Sequence, residues 1–319
     1  MSKAALKKAT RKAQQNICKI SGKSLPKDTK LFDTDRITPK AAGGTYTEEN
    51  TRVVNPVVHM IRHGSWRERS PEFQKLKETI DDREQVRKAC YKINNQLLAY
   101  KRRVDTLHET TLNWLETQQK IMIKELSIRD SNLKKSVIAL AKIDPLAAIA
   151  LKVKGVGPVT VAYCLAYIDL EKARHASSLW SYVGLDMASH ERYKKKTASG
   201  GNKTLRCVLY TMADSQMKGR KKDNAYGYLY DQIKTRLENS NNTVKSRNTQ
   251  GELIECAWKD TKPGHRHGAA LRIIMKHFLA DYWYVGRTLM GLEVGPLYPE
   301  AVLGGSHKTI MPEERGWAY

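Results

Sequence analysis

Between Pro71 and Pro145 the chain contains neither glycine nor proline, and so long a stretch without a breaker favours long helix over most other folds. Ser70-Pro71-Glu72 opens it with an N-cap residue, a proline at the first helical position and an acid in the first turn. Val86, Cys90, Ile93, Leu97, Tyr100, Val104, Leu107, Thr111, Trp114, Gln118 and Ile121 then step by four and three, the repeat that keeps one seam against a partner helix. Two partners fit this seam. One is a second copy of the chain; the other is a hairpin within the chain after a break near Ser127 to Ser131. The length of the seam favours the homodimer, because long isolated helices need such a partner. Residues 70–143 are thus expected to form a coiled-coil stalk.

The charge balance sets the class of partner. With 56 Lys+Arg against 33 Asp+Glu the formal charge is +23 and the pI is 9.7, which implies a polyanion. A membrane is not expected: the most apolar helical stretch, Ala269 to Leu292, carries Arg272, Lys276, Asp281 and Arg287. The start lacks a secretory pattern, and Cys18, Cys90, Cys164, Cys207 and Cys256 form no Cys-x-x-Cys pair. Both point to a cytoplasmic chain with reduced thiols. Residues 1–69 read as a basic arm, with nine Lys or Arg and one acid among the first thirty. Helix is favoured from Ser2 to Cys18, burying little, and an irregular segment follows with one short strand at Val53 to Ile61.

After the stalk comes Leu151-Lys-Val-Lys-Gly155-Val-Gly157-Pro158-Val-Thr160, a glycine turn between two apolar helical patterns. Two glycines permit a tight turn and close backbone approach, and Pro158 suits the first helical turn. A helix-hairpin-helix grip on phosphate has this form, the helix dipole and Lys152 and Lys154 supplying positive charge. Helix Pro158–Ile168 is almost wholly apolar and must be buried. Then come Ser181-Tyr-Val-Gly184-Leu185 and ten Lys or Arg with one acid between Arg192 and Lys222. Asn202 caps the next helix, with Arg206 one turn on and in reach of a phosphate. Residues 144–222 form this compact domain. In the extension 223–319, residues 223–264 show little periodicity after Tyr230. A closing helix presents Leu271, Ile274, Phe278, Tyr282, Val285 and Leu289, and an extended tail follows Gly295. His265-Arg266-His267 lacks a third metal ligand nearby.

Gly155-Val-Gly-Pro-Val-Thr160, Ser181-Tyr-Val-Gly184-Leu185 and Gly201-Asn202-Lys-Thr-Leu205-Arg206, in this order, resemble the C-terminal domain of the insertion-sequence one-ten type of DEDD transposases. The resemblance covers roughly residues 145–215. It implies a serine that attacks DNA, and by position Ser189 matches that nucleophile, although the usual Ser-Gly is here Ser189-His190. A serine in a polar loop is ordinarily a turn residue. The resemblance also implies an N-terminal RNase H-like domain whose acids bind metal. The sequence shows no strands to hold such acids, since Asp28, Asp33, Asp35, Glu48 and Glu49 sit in loop-like text, so that half is expected to be absent. No cofactor is called for, and Mg²⁺ enters only if a partner supplies the acidic site.

A mostly α protein is therefore expected: basic N-terminal arm, coiled-coil stalk, and compact helix-hairpin-helix domain. Its expected role is DNA recombination or transposition, and whether it is itself a strand-transfer enzyme stays open. Lys152, Lys154, Gly155, Gly157, Thr160, Lys194, Lys195, Lys196, Asn202, Lys203 and Arg206 would form one contiguous face on DNA, branched DNA included. Two other readings are a helix-hairpin-helix glycosylase or base-modifying enzyme using Asp169 or Glu171, and a non-catalytic accessory protein binding RNA or DNA.

Overall fold

The computed structural model describes residues 3–19, 25, 33–38, 44–54, 71–102, 108–186, 201–219, 224–248, 250–296 and 310–318. It is mostly helical, as expected. The helices are α1 (Lys3–Ala13), α2 (Pro71–Lys101), α3 (Glu109–Ala141), α4 (Pro145–Ala150), α5 (Pro158–Tyr167), α6 (Ala176–Tyr182), α7 (Lys203–Lys218), α8 (Ala225–Glu238) and α9 (Pro263–Met290). Two antiparallel ribbons pair β1 (Asp33–Arg36) with β2 (Thr51–Val54), and β3 (Thr243–Arg247) with β4 (Leu253–Ala257). None of the described helices is long and apolar enough to cross a membrane.

The stalk is a hairpin within the chain. Thr79 meets Ser136 at 3.1 Å, Arg83 Nε donates to Asp130 at 2.5 Å, Gln119 donates to Asn94 at 2.9 Å, and Lys101 pairs with Glu116 at 2.7 Å. These partners run in opposite directions along α2 and α3. The reversal comes after Lys101, not near Ser127 to Ser131, where α3 is continuous. This shifts the α3 seam by one residue. Leu115 and Leu133 are buried, whereas Trp114, Ile121 and Ile128 are 56%, 44% and 41% exposed. A heptad count carried across the reversal keeps its period but loses its phase, because the two helices meet the interface independently.

The base of this hairpin is rooted in one core. Phe73, Leu76 and Ile80 of α2 and Leu133, Val137 and Leu140 of α3 share it with α4 to α9 and with Trp317 near the chain end. The last long helix does not merely close the bundle. α9 crosses its centre, touching α4, α6, α7 and α8, with fourteen buried residues from Ala269 to Met290. Residues 223–264, where little order was expected, contain α8, capped by Asn224 on the Gly227 N–H, and the β3–β4 ribbon. α8 owes its order to docking on α9 rather than to local periodicity, and the ribbon reaches α9 through Ser246 and His265 at 2.9 Å.

The basic N-terminal segment also differs from expectation. α1 packs on β2, burying Leu6, Thr10 and Gln14, and a small separate core joins Cys18, Leu25, Val53 and Val54. Of the strand expected at Val53 to Ile61, only the start falls in β2; residues 55–61 lie outside the described set. Asp35, read as loop, lies on β1, buried and paired with Arg52 at 2.9 Å.

A buried ion pair ties the chain end to α9. Arg315 donates to both Asp281 oxygens at 2.6 and 2.5 Å, Tyr226 donates to Asp281 at 2.5 Å, and Trp317 Nε1 donates to the Tyr226 hydroxyl at 2.9 Å. Burial raises the Asp281 carboxyl above its ordinary value even against the pull of Arg315. Arg315→Met strands that charge, and urea denaturation at neutral pH should show a loss of about 3–5 kcal/mol. The loss should shrink on acidification, because the raised carboxyl takes up a proton in the folded state before it does so in the unfolded chain. A loss independent of pH would contradict this account.

Candidate nucleic-acid interface

α4 begins at Asp144, whose fully buried carboxylate accepts from the Leu146 and Ala147 N–H groups at 2.9 and 3.2 Å. The chain leaves α4 through Leu151 and turns at Gly155, where φ is +78°, a value that disfavours any residue with a Cβ. A Cβ there would lie 2.4 Å from the amide oxygen of Gln216, a fully buried residue on α7. Gln216 Nε2 in turn donates to the Lys154 carbonyl at 3.0 Å. The turn is thus seated on the C-terminal half of α7. Gly157 is different. Its φ of −84° is ordinary and the space before its missing Cβ is open, so it is not needed for the turn itself.

Beyond Gly157, α5 starts with Pro158 and no side-chain cap. Neither a capping side chain nor an acid in the first turn compensates the positive end of its first N–H groups. Lys152 and Lys154 stand exposed beside it, with no acid in ion-pair range among the described residues. Thr160, expected to face DNA, is instead 5% exposed. It falls on the apolar side of α5 that packs into the core, so its side chain is withdrawn from this surface.

The other two motifs meet at the opposite end of α7. The Asn202 N–H donates to the Tyr182 carbonyl at 2.7 Å, its Nδ2 donates to the Tyr182 hydroxyl at 3.1 Å, and its Oδ1 caps α7 through the Leu205 N–H at 2.9 Å. Arg206 Nη1 reaches the Gly184 carbonyl at 3.4 Å. Gly201 has φ +103°, and a Cβ there would lie 2.8 Å from Gly184 N and 2.9 Å from the Tyr182 carbonyl. The Ser181–Leu185 turn and the Gly201–Arg206 segment therefore form one knot. Lys203 projects from it, exposed. Ser189, Lys194, Lys195 and Lys196 lie outside the described residues, in the segment whose flanks this knot joins.

Residues 147–228 match the model of the Transposase IS116/IS110/IS902 family. The match covers about a quarter of the chain and takes in the glycine turn, α5, the knot, α7 and the first turn of α8; it says nothing of an N-terminal domain. No curated protein and no solved structure matches the chain.

The transposase-like segment is joined to the stalk by polar contacts that sequence patterns did not disclose. The buried Tyr163 hydroxyl on α5 donates to Glu84 on α2 at 2.5 Å, and Arg83 donates to that hydroxyl at 3.1 Å. Arg87 bonds both Glu84 oxygens. Burial favours the neutral form of Glu84, but Arg87, Tyr163 and Arg83 outweigh it and hold the carboxyl below its ordinary range. Asp169, weighed as a catalytic acid, accepts from the Glu171 and Lys172 N–H groups and pairs with Lys172; these are contacts of a turn. His265 and His267 turn their Nδ1 atoms to Ser246 and Tyr230. Among the described residues no cluster of three His, Cys, Asp or Glu is placed to hold a metal.

The glycines give a graded prediction. Gly155→Ala and Gly201→Ala should each destabilise the fold by about 1–3 kcal/mol, through left-handed backbone and contact. Gly157→Ala should change stability by less than about 1 kcal/mol, because its ordinary φ accepts alanine while the N-cap position favours glycine. Denaturant midpoints for the three variants check this, and equal losses at all three positions would refute the assignment of the turn to Gly155.

Proposed function

We propose that this chain acts in DNA transposition or recombination through the transposase-like segment, gripping phosphates at both ends of α7. The observation that carries this reading is the α4–α5 turn itself. An uncapped helix N-terminus, an open approach at Gly157 and two exposed lysines without acid partners among the described residues converge there, inside the segment that matches a transposase family. In this reading the turn is a helix-hairpin-helix element for DNA. Lys203, Arg206 and the lysines at 194–196 serve the second contact, and phosphate contact makes binding insensitive to sequence.

Replacing Lys152 and Lys154 by Glu should weaken binding to any duplex and lower the log–log salt slope by about two, one per lost phosphate contact. Filter binding over a salt series reads this. An unchanged slope rules out the turn as a phosphate site.

Ser189 is the proposed nucleophile. Its Oγ bonds to phosphorus while its proton passes to a base. The bond from phosphorus to one sugar oxygen breaks, and that oxygen takes up the proton returned by the base and departs as a hydroxyl. Any Mg²⁺ is held by acids of a partner. A protein–DNA adduct isolated on denaturing gels should vanish in Ser189→Ala while duplex affinity is retained; an adduct that persists excludes Ser189.

The homodimer is proposed on the outer stripe of α3. Trp114, Ile121 and Ile128 repeat at seven-residue intervals along α3 and are exposed, one apolar position per heptad that a second copy can cover. Light scattering should give a dimer for the native chain and a monomer for Ile121→Glu. A native monomer at micromolar concentration would contradict the stripe as an interface.

A further inference from the structure

The N-terminal unit contains a cleft of about 450 Å³ between α1 and β2, within the size range of small-molecule sites. Four residues that line it each carry a buried polar atom without a hydrogen-bond partner among the described residues: Thr10 Oγ1, Gln14 Nε2, Thr51 Oγ1 and Arg52 Nη2. Thr10, Gln14 and Thr51 are 7%, 7% and 4% exposed. So many orphaned groups around one space are unusual, because folded chains satisfy nearly all buried donors and acceptors.

Neighbours fix which atoms are left over. The Val53 N–H donates to Gln14 Oε1 at 2.6 Å, which orients the amide and leaves its Nε2 donors unused. Arg52 spends its Nε on Asp35 at 2.9 Å, leaving Nη2 unused. The unused set is therefore rich in donors, with two hydroxyls that can serve either way. Ala13 and Ile37 add apolar surface, Glu48 adds one carboxylate, and Lys19 adds one cation.

We propose that this cleft binds a guanine nucleotide, as a free mononucleotide or as an unpaired guanosine in a strand. Guanine presents two adjacent acceptors, O6 and N7, which arginine donors recognise; the adenine pairing of an amide needs its oxygen, and Gln14 Oε1 is already taken by the Val53 N–H. Its N1–H and exocyclic amine suit a carboxylate such as Glu48, its ring faces suit Ala13 and Ile37, and its phosphate suits Lys19. A bare phosphate would use neither the carboxylate nor the apolar wall.

The test is thermal unfolding and calorimetry of the full chain with GMP, AMP, inorganic phosphate, and thymidine dodecamers with and without one central guanosine. GMP should raise the unfolding midpoint while AMP and phosphate leave it unchanged. A response to the guanosine dodecamer above that to the plain dodecamer, without a response to GMP, assigns the site to strands. Thr10→Val and Thr51→Val each remove one orphaned hydroxyl, so they should lower guanine affinity at least tenfold while leaving the midpoint of the free protein equal or higher. Arg52→Lys keeps the charge, removes Nη2, and should also lower affinity at least tenfold. Equal responses to GMP and AMP, no response to any guanine probe at millimolar concentration, or native affinity in all three variants would overturn the proposal.

Discussion

The proposed interface depends on α7. Its C-terminal half seats the glycine turn through Gln216, and its N-terminal cap holds the Tyr182–Gly184 turn through Asn202. Ten residues separate Arg206 from Gln216, about 15 Å of helix at ~1.5 Å per residue. Among the described cations expected to share one continuous face, Lys152 and Lys154 thus lie with the turn at one end of α7, and Lys203 and Arg206 at the other. Such spacing suits separate groups of phosphates better than a single one.

Around this spacer the structure is arranged to keep it fixed. α9 lies beneath it and clamps the preceding loop: Trp283 Nε1 donates to the Ala173 carbonyl at 2.6 Å and Arg287 donates to the Leu170 carbonyl at 2.7 Å. The chain end in turn locks α9 through Asp281 and Arg315. The Glu84–Tyr163 contact ties the stalk to α5, so any partner gripping the outer stripe of α3 is held in a defined relation to the turn. A buried polar joint of this kind contributes modest net stability but fixes orientation, since each partner loses its hydrogen bonds if the helices slide.

The parts of this arrangement differ in how far they can be read from the chain. The lack of glycine and proline between 71 and 145 announced long helix, and the three short motifs announced the transposase-like segment, because both signals are local. The phase of the α3 seam was not readable: Trp114 and Leu115 are both large and apolar, and only the reversal decides which turns inward. Gln216 carried no signal, being one glutamine on a mixed helix whose role exists only where Gly155 approaches. Asp281 and Arg315 are likewise thirty-four positions apart, and nothing local pairs them. The N-terminal helix looked like a bare cationic arm because its buried stripe, Leu6, Thr10 and Gln14, is largely polar.

The central claim is that two phosphate contacts lie apart, at the two ends of α7. Ethylation interference on a bound duplex tests it most directly. The account predicts two clusters of sensitive phosphates with insensitive positions between them, one cluster lost in the Lys152→Glu, Lys154→Glu variant and the other in Lys203→Glu. A single unbroken cluster, weakened alike by both sets of substitutions, would contradict it.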